Sequence, residues 1–141
     1  MLYLDSSALV KRYVAEPGSS AVQSAIVADP DVTTCLLSRV EVPAALAAAA
    51  RAGRIPNLGR LLMAFRVHWS QLIVIGIDPL LADTAAALAE RHALRGYDAV
   101  QLAAALVAAQ AAASVGSDLT FAVFDSALRR AAVAEGLTLL T

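Results

Sequence analysis

This 141-residue chain has one cysteine, one tryptophan and one lysine. A lone Cys35 cannot form an internal disulfide. Its place in an apolar run predicts a buried thiol and a reducing compartment, the cytoplasm. No Cys/His cluster with ligand spacing occurs, so nothing points to zinc. Charge of one sign is also lacking: the formal net charge is −1, and no global basic field draws in nucleic acid. The amino terminus has no basic region and reaches Asp5 early, so no signal peptide is expected. Ala99 to Ser117 carries no charge over roughly the length of a spanning helix. That stretch is mostly alanine, includes Gln101, Gln110, Ser114 and Ser117, and breaks at Gly116. Alanine favours helix but adds little apolar drive. The expectation is a helix buried inside a soluble protein, with no membrane segment. Repeats, linkers and low-complexity tails are absent too, which leaves one domain over residues 1–141.

What is present alternates. Leu2-Tyr3-Leu4 has strand character and stops at Asp5, and Ser6 to Glu16 then reads as a helix ended by Pro17-Gly18. Ser19 to Ala28 follows as a helix, Val32 to Leu37 as a strand, and Ser38 to Arg51 as a helix with Pro43 in its tolerated early region. Leu58, Leu61, Leu62, Phe65, Trp69 and Leu72 form a helical stripe expected to be core or a subunit surface. Leu72 to Ile77 is the third strand. The next helix opens at Asp78-Pro79 and breaks at Gly96, and Asp98 to Ala113 is the buried helix. Leu119 to Phe124 is a strand, Ser126 to Glu135 a helix and Leu137 to Leu140 a last strand. Continuous apolar strands between helices predict a three-layer α/β/α sandwich with a central, mainly parallel sheet.

Four acids stand where a strand or loop gives way to a helix: Asp5, Glu41, Asp98 and Asp125. Each has a structural explanation. Asp5 and Asp125 are placed to cap helices, and Ser38-Arg39-Val40-Glu41 and Asp98 with Gln101 match capping boxes. Right-handed crossovers nevertheless bring all strand-to-helix junctions to one sheet edge. Carboxylates gathered there repel unless protonated or neutralised by a cation, and oxygen-only donors suit Mg²⁺ or Mn²⁺. Asp118 is a rival to Asp125 but precedes its strand, at the opposite edge. Lys11, Arg12, Arg39, Arg91 and Arg95 are candidate phosphate contacts, with Arg12 and Arg95 foremost. His92 reads as a packed helix residue, and His68 beside Trp69 as structural.

The ordered set Leu4-Asp5-Ser6-Ser7-Ala8-Leu9, Ser38-Arg39-Val40-Glu41, Leu94-Arg95-Gly96-Tyr97-Asp98-Ala99-Val100-Gln101-Leu102-Ala103 and Phe121-Ala122-Val123-Phe124-Asp125 resembles PIN-domain ribonucleases. The resemblance is in particular to VapC-type toxins of bacterial type II toxin–antitoxin pairs, and it covers essentially the whole chain. It implies RNA hydrolysis by metal-activated water, giving a 5′-phosphate and a 3′-hydroxyl. Asp5, Glu41, Asp98 and Asp125 would be catalytic and metal-holding, with Mg²⁺ or Mn²⁺ as cofactor. Ser6 or Ser7 falls on the family's small hydroxyl position. The resemblance also implies a homodimer and a cognate antitoxin. Two departures stand out: Val123 lies where many relatives carry Thr or Ser, and Gln101 where they often carry His.

Rival classes fit less well. A receiver domain needs an acid ending its third strand and a later lysine, but no acid lies between Glu41 and Asp78 and the only lysine is Lys11. A haloacid-dehalogenase phosphatase needs an Asp where Ser7 stands. A catalytically silent PIN-like module that binds protein or RNA is the alternative, and it predicts loss of at least one acid.

Overall fold

The computed structural model describes all 141 residues. The chain runs β1 (Leu2–Leu4), α1 (Ser6–Val10), α2 (Ser19–Ala28), β2 (Val32–Cys35), α3 (Ser38–Arg51), α4 (Leu58–Trp69), β3 (Ile73–Ile75), α5 (Pro79–His92), α6 (Gly96–Ser114), β4 (Thr120–Ala122), α7 (Ser126–Ala134) and β5 (Thr138–Leu139). The five strands form one all-parallel sheet in the order β3-β2-β1-β4-β5. β1 is central, and the chain departs from it in both directions. Such a switch point opens a crevice outside the carboxyl ends of the strands.

Alternation along β1 builds both layers. Tyr3 points into a core formed with α5, α6 and α7, where its ring meets Phe121 edge-on at 5.3 Å. Leu2 and Leu4 point the other way, into a core shared with α1, α3 and α4. The stripe on α4 serves this second core: Phe65 is buried, and Leu58, Leu61, Leu62 and Trp69 are packed against it while partly exposed. α6 buries Ala99, Leu102, Ala103, Ala104, Ala105, Ala108 and Ala112 as anticipated, and no helix is long and apolar enough to cross a membrane.

The later strands are shorter than expected, β2 ending at Cys35 rather than Leu37 and β3 spanning only Ile73–Ile75, and two helix boundaries differ in ways that reach the site. The helix after Asp5 ends at Val10 rather than Glu16. Beyond it Lys11, Arg12 and Tyr13 bond three residues back, to Ala8, Leu9 and Val10. This tightening carries Lys11 inward, where its ammonium pairs with Glu16 at 3.1 Å and lies 4.6 Å from the Phe124 ring centre. The second difference concerns Gly96, which starts α6 instead of ending α5. The left-handed residue closing α5 is Ala93, with φ 52. Asp98 therefore lies inside the first turn of its helix rather than ahead of it.

Gly18 joins the α1 segment to α2 in the left-handed region, at φ 90, and its Cα faces the Phe124 ring. A Cβ there would collide with Cε1 and Cζ of Phe124. Gly18→Ala combines backbone strain with a steric clash and should cost roughly 2 kcal/mol or more. Urea unfolding checks this, and an unchanged midpoint would refute it.

Candidate active site

The carboxyl edge of the sheet holds a pocket of about 410 Å³. Its walls include Asp5, Ser6, Ser7, Glu41, Arg95, Tyr97, Asp98, Gln101 and Asp125. All four acids singled out in the sequence thus line one cavity. Asp5 arrives from β1, Glu41 from the first turn of α3 after β2, Asp125 from the end of the β4 segment, and Asp98 from the first turn of α6. Asp118 lines a different pocket with Ser117, Gly136 and Thr138.

The capping explanation divides the acids into two pairs. Asp5 does cap α1: its Oδ1 accepts the Ala8 amide at 2.6 Å and the Ser7 hydroxyl at 2.9 Å. Asp125 caps α7, with Oδ1 accepting the amides of Ala127 and Leu128 at 2.9 Å each. Each keeps its second carboxylate oxygen for other partners, and Oδ2 of Asp5 meets only the Ser7 hydroxyl. Neither capping box forms. Ser38 is the first residue of α3 and makes no cap bond, while α6 has no side-chain cap. Glu41 accepts instead from Ser6 and Gln101, and Asp98 from Arg95.

Beneath the acids runs a buried chain of polar groups. The Tyr3 hydroxyl donates to Oε1 of Gln101 at 2.8 Å, which leaves the Gln101 amide to donate to Ser6 at 2.9 Å and Ser38 at 3.2 Å. Ser6 also contacts Ser38 and donates to Glu41. Thr34 links Ser38 to the Leu4 carbonyl. Gln101, flagged in the sequence as a departure, is therefore the hub that holds Glu41 and Ser6 in place. Its position three residues after Asp98, on the same helical face, was the available signal. Tyr3, Ser38 and Tyr97 were not anticipated. Tyr3 reads as plain core, and only the packing of α6 against the sheet brings its hydroxyl to Gln101.

Asp5 is 5% exposed, and burial pushes its carboxyl up to about 7. The charges of Asp98 and Glu41 push the same way, whereas the Ala8 amide and the Ser7 hydroxyl pull it down. The nearest compensating charge is Arg95. Its Nε lies 2.7 Å from Oδ2 of Asp98, and a terminal nitrogen lies 3.9 Å from Asp125. Its guanidinium also lies 5.0 Å from the Tyr97 ring centre. The donor set is oxygen throughout, which fits a hard divalent cation. No three acidic, histidine or cysteine groups are gathered closely enough to form a ready-made metal cage.

The remaining cations are dispersed. Lys11 is buried with Glu16, and Arg91 pairs with Glu135 at 2.8 Å, so neither faces the pocket. Arg39 lines a separate cleft on the far flank of α3, and Arg12 lies past the end of α1 with its charge felt at His68. His92 contacts Glu135 at 2.6 Å, and His68 contacts the Tyr13 hydroxyl at 3.1 Å, both away from the acids.

The PIN domain family model matches residues 2–134. This chain belongs to the PIN domain family. It is a VapC-type member, 34% identical over 139 residues to Ribonuclease VapC45 of Mycobacterium tuberculosis (strain CDC 1551 / Oshkosh). That match covers 96% of this chain and 92% of the relative. Two solved structures share the PIN fold. FitAcB from Neisseria gonorrhoeae superposes with a TM-score of 0.66 at 17% identity, covering 100% of this chain and 97% of that one. A toxin–antitoxin complex from Klebsiella pneumoniae gives 0.64 at 18% identity, covering 89% and 88%.

A buried carboxyl that titrates near 7 couples folding to pH. The folded chain holds this proton from about pH 4 to about pH 7, where the unfolded chain has released it. The contribution of Asp5 to stability is therefore greatest below about pH 4 and declines as pH rises through about 7. In EDTA, the stability of Asp5→Asn relative to wild type should rise between about pH 5 and pH 7.5. Urea titrations at the two pH values measure that gap, and a constant gap would refute the raised pKa.

Proposed function

We propose that this VapC-type PIN domain is a metal-dependent ribonuclease, the toxin of a toxin–antitoxin pair, hydrolysing RNA phosphodiester bonds. The observation that carries the reading is the convergence of Asp5, Glu41, Asp98 and Asp125 on one pocket at the sheet's carboxyl edge. The relationship to Ribonuclease VapC45 supports the same chemistry.

In this reading Asp5, Asp98, Glu41 and Asp125 hold Mg²⁺ or Mn²⁺. The cation supplies positive charge against the phosphodiester and lowers the pKa of the attacking water. The protein's own groups prepare the site. Ser7 and the Ala8 amide fix the Asp5 carboxylate, while Ser6 and Gln101 fix Glu41. Arg95 is 61% exposed at its side chain, so its guanidinium can turn from Asp98 to a substrate phosphate. Ser6 and Ser7 are secondary phosphate contacts in this reading, and Arg12 an outlying one. Water adds to phosphorus and the bond to the 3′ oxygen breaks. The leaving oxygen takes up a proton, which yields a 5′-phosphate and a 3′-hydroxyl.

The proposed partners are a cognate antitoxin and a second copy of the chain. The first draws support from the Klebsiella pneumoniae toxin–antitoxin complex with the same fold. The proposed compartment is the cytoplasm, which suits the free, buried Cys35.

Asp98→Asn should lower RNA cleavage by about 100-fold or more while leaving the free energy of unfolding within about 0.5 kcal/mol of wild type. EDTA should stop the wild-type reaction, and Mg²⁺ or Mn²⁺ should restore it. Cleavage that persists in Asp98→Asn or in EDTA would overturn the mechanism. A wild-type protein that binds RNA without cutting it would leave the silent binding module.

A further inference from the structure

A second cleft, of about 400 Å³, lies between α3 and α4 and is lined by Arg39, Pro43, Leu62, Phe65, Arg66 and Trp69. Its size is within the range of small-ligand sites, about 300–1,000 Å³. Its two arginines are exposed, neither has an ion-pair partner, and no carboxylate lines the cleft. Arg39 is moreover in the first turn of α3, the end of a helix where the dipole disfavours a cation. The surrounding sequence has the same bias. From Leu36 to Ile77 there are five arginines (Arg39, Arg51, Arg54, Arg60 and Arg66) against the single acid Glu41. Of these, Arg54 is met by Glu16 at 2.7 Å, whereas Arg39 and Arg66 have no protein carboxylate beside them and stay open to an anion from outside.

The cleft is also aromatic. Trp69, the only tryptophan in the chain, forms part of the wall, with its ring centre 5.6 Å from that of Phe65. Arginines lining the same cleft as an indole suit a nucleotide, whose base has a π-face and whose phosphates are anionic. The location agrees. At 3.6 residues per turn, Glu41, Ala44 and Ala45 face the acidic pocket from one flank of α3, and Arg39 and Pro43 face this cleft from the other. Only the exposed ridge at Val40 separates them. The width of a helix, about 10 Å, corresponds to roughly two or three nucleotides of single strand at about 3.4 Å or more each.

We propose that the α3–α4 cleft is a nucleotide subsite for the RNA strand running from the acidic pocket over Val40. A base stacks on Trp69 there, and Arg39 and Arg66 meet the flanking phosphates. The inference rests on the ribonuclease reading for its substrate but not for its test. Asp98→Asn protein in EDTA is titrated with a ten-nucleotide single-stranded RNA while the fluorescence of the sole indole is followed. The emission should be quenched on binding. The R39A/R66A double substitution in that background should weaken affinity about tenfold or more and reduce the slope of log K against log salt by about 1. In otherwise active protein the same pair should raise KM for the ten-mer at unchanged kcat, while a dinucleotide, too short to cross α3, is cut as before.

Unchanged emission, or wild-type affinity and salt slope in the double variant, would overturn the subsite. So would a double variant that keeps its RNA affinity but no longer holds a co-expressed antitoxin, since the cleft would then belong to a protein partner. Quenching by wild-type protein that cannot cleave would support the subsite and defeat the ribonuclease reading alone.

Discussion

The burial of one carboxylate, Asp5, at the end of the central strand is the constraint around which the site is built. A charge in that position is costly unless its surroundings compensate. Here an amide and a hydroxyl compensate in part, while two further acids work against them, so the carboxyl holds its proton up to about pH 7. The helices around β1 do not relieve this conflict; they deliver it. β1 is flanked by β2 on one side and β4 on the other, so the junctions after these three strands cannot avoid one another. The arrangement leaves a deficit of positive charge at the sheet edge, which Arg95 offsets only at Asp98 and, at 3.9 Å, Asp125.

The groups beneath the acids show how such a site keeps its shape. Tyr3, Gln101, Ser6, Ser38 and Thr34 satisfy one another in a connected network with the Leu4 carbonyl as its anchor. Buried polar networks of this kind are stabilising only when every member is paired. Gln101 suits the hub because its amide carries both an acceptor for Tyr3 and donors for the serines. An imidazole has only two ring nitrogens to divide between those roles. The replacement therefore alters the wiring below Glu41 without removing any of the four acids.

Much of the fold was legible because strand and helix patterns are local. The apolar runs at Leu2–Leu4 and Leu119–Phe124 and the alanine-rich helix translate into elements, the second run giving β4 over Thr120–Ala122. Readings that failed gave way to competing partners, some distant in sequence, as Phe124 is from Lys11 and Ser6 from Glu41, and some near, as Arg95 is to Asp98. The first helix stops early where Lys11 turns in to Glu16 and Phe124, and the capping boxes at Ser38–Glu41 and Asp98–Gln101 give way to partners supplied by Ser6 and Arg95. Local hydrogen-bond patterns can propose such a cap, but tertiary neighbours compete for the same oxygens.

By itself the sequence determined the parallel α/β architecture and the four acids at strand-to-helix junctions, since hydrophobic period and chain handedness leave few other arrangements. It also carried the ordered motifs that mark the PIN family. Only the tertiary structure decided what each acid does there. Two are tied to helix starts, one is held from below by Ser6 and Gln101, and one is paired with Arg95. The same holds for the cations, of which Lys11 and Arg91 are consumed internally, while Arg39 and Arg66 remain unpaired around Trp69. The reason is physical. The Arg95–Asp98 and Lys11–Glu16 pairs are local, but Glu135 for Arg91, Ser6 for Glu41 and Phe124 beside Lys11 come from distant parts of the chain, of which spacing along one strand or helix carries no record.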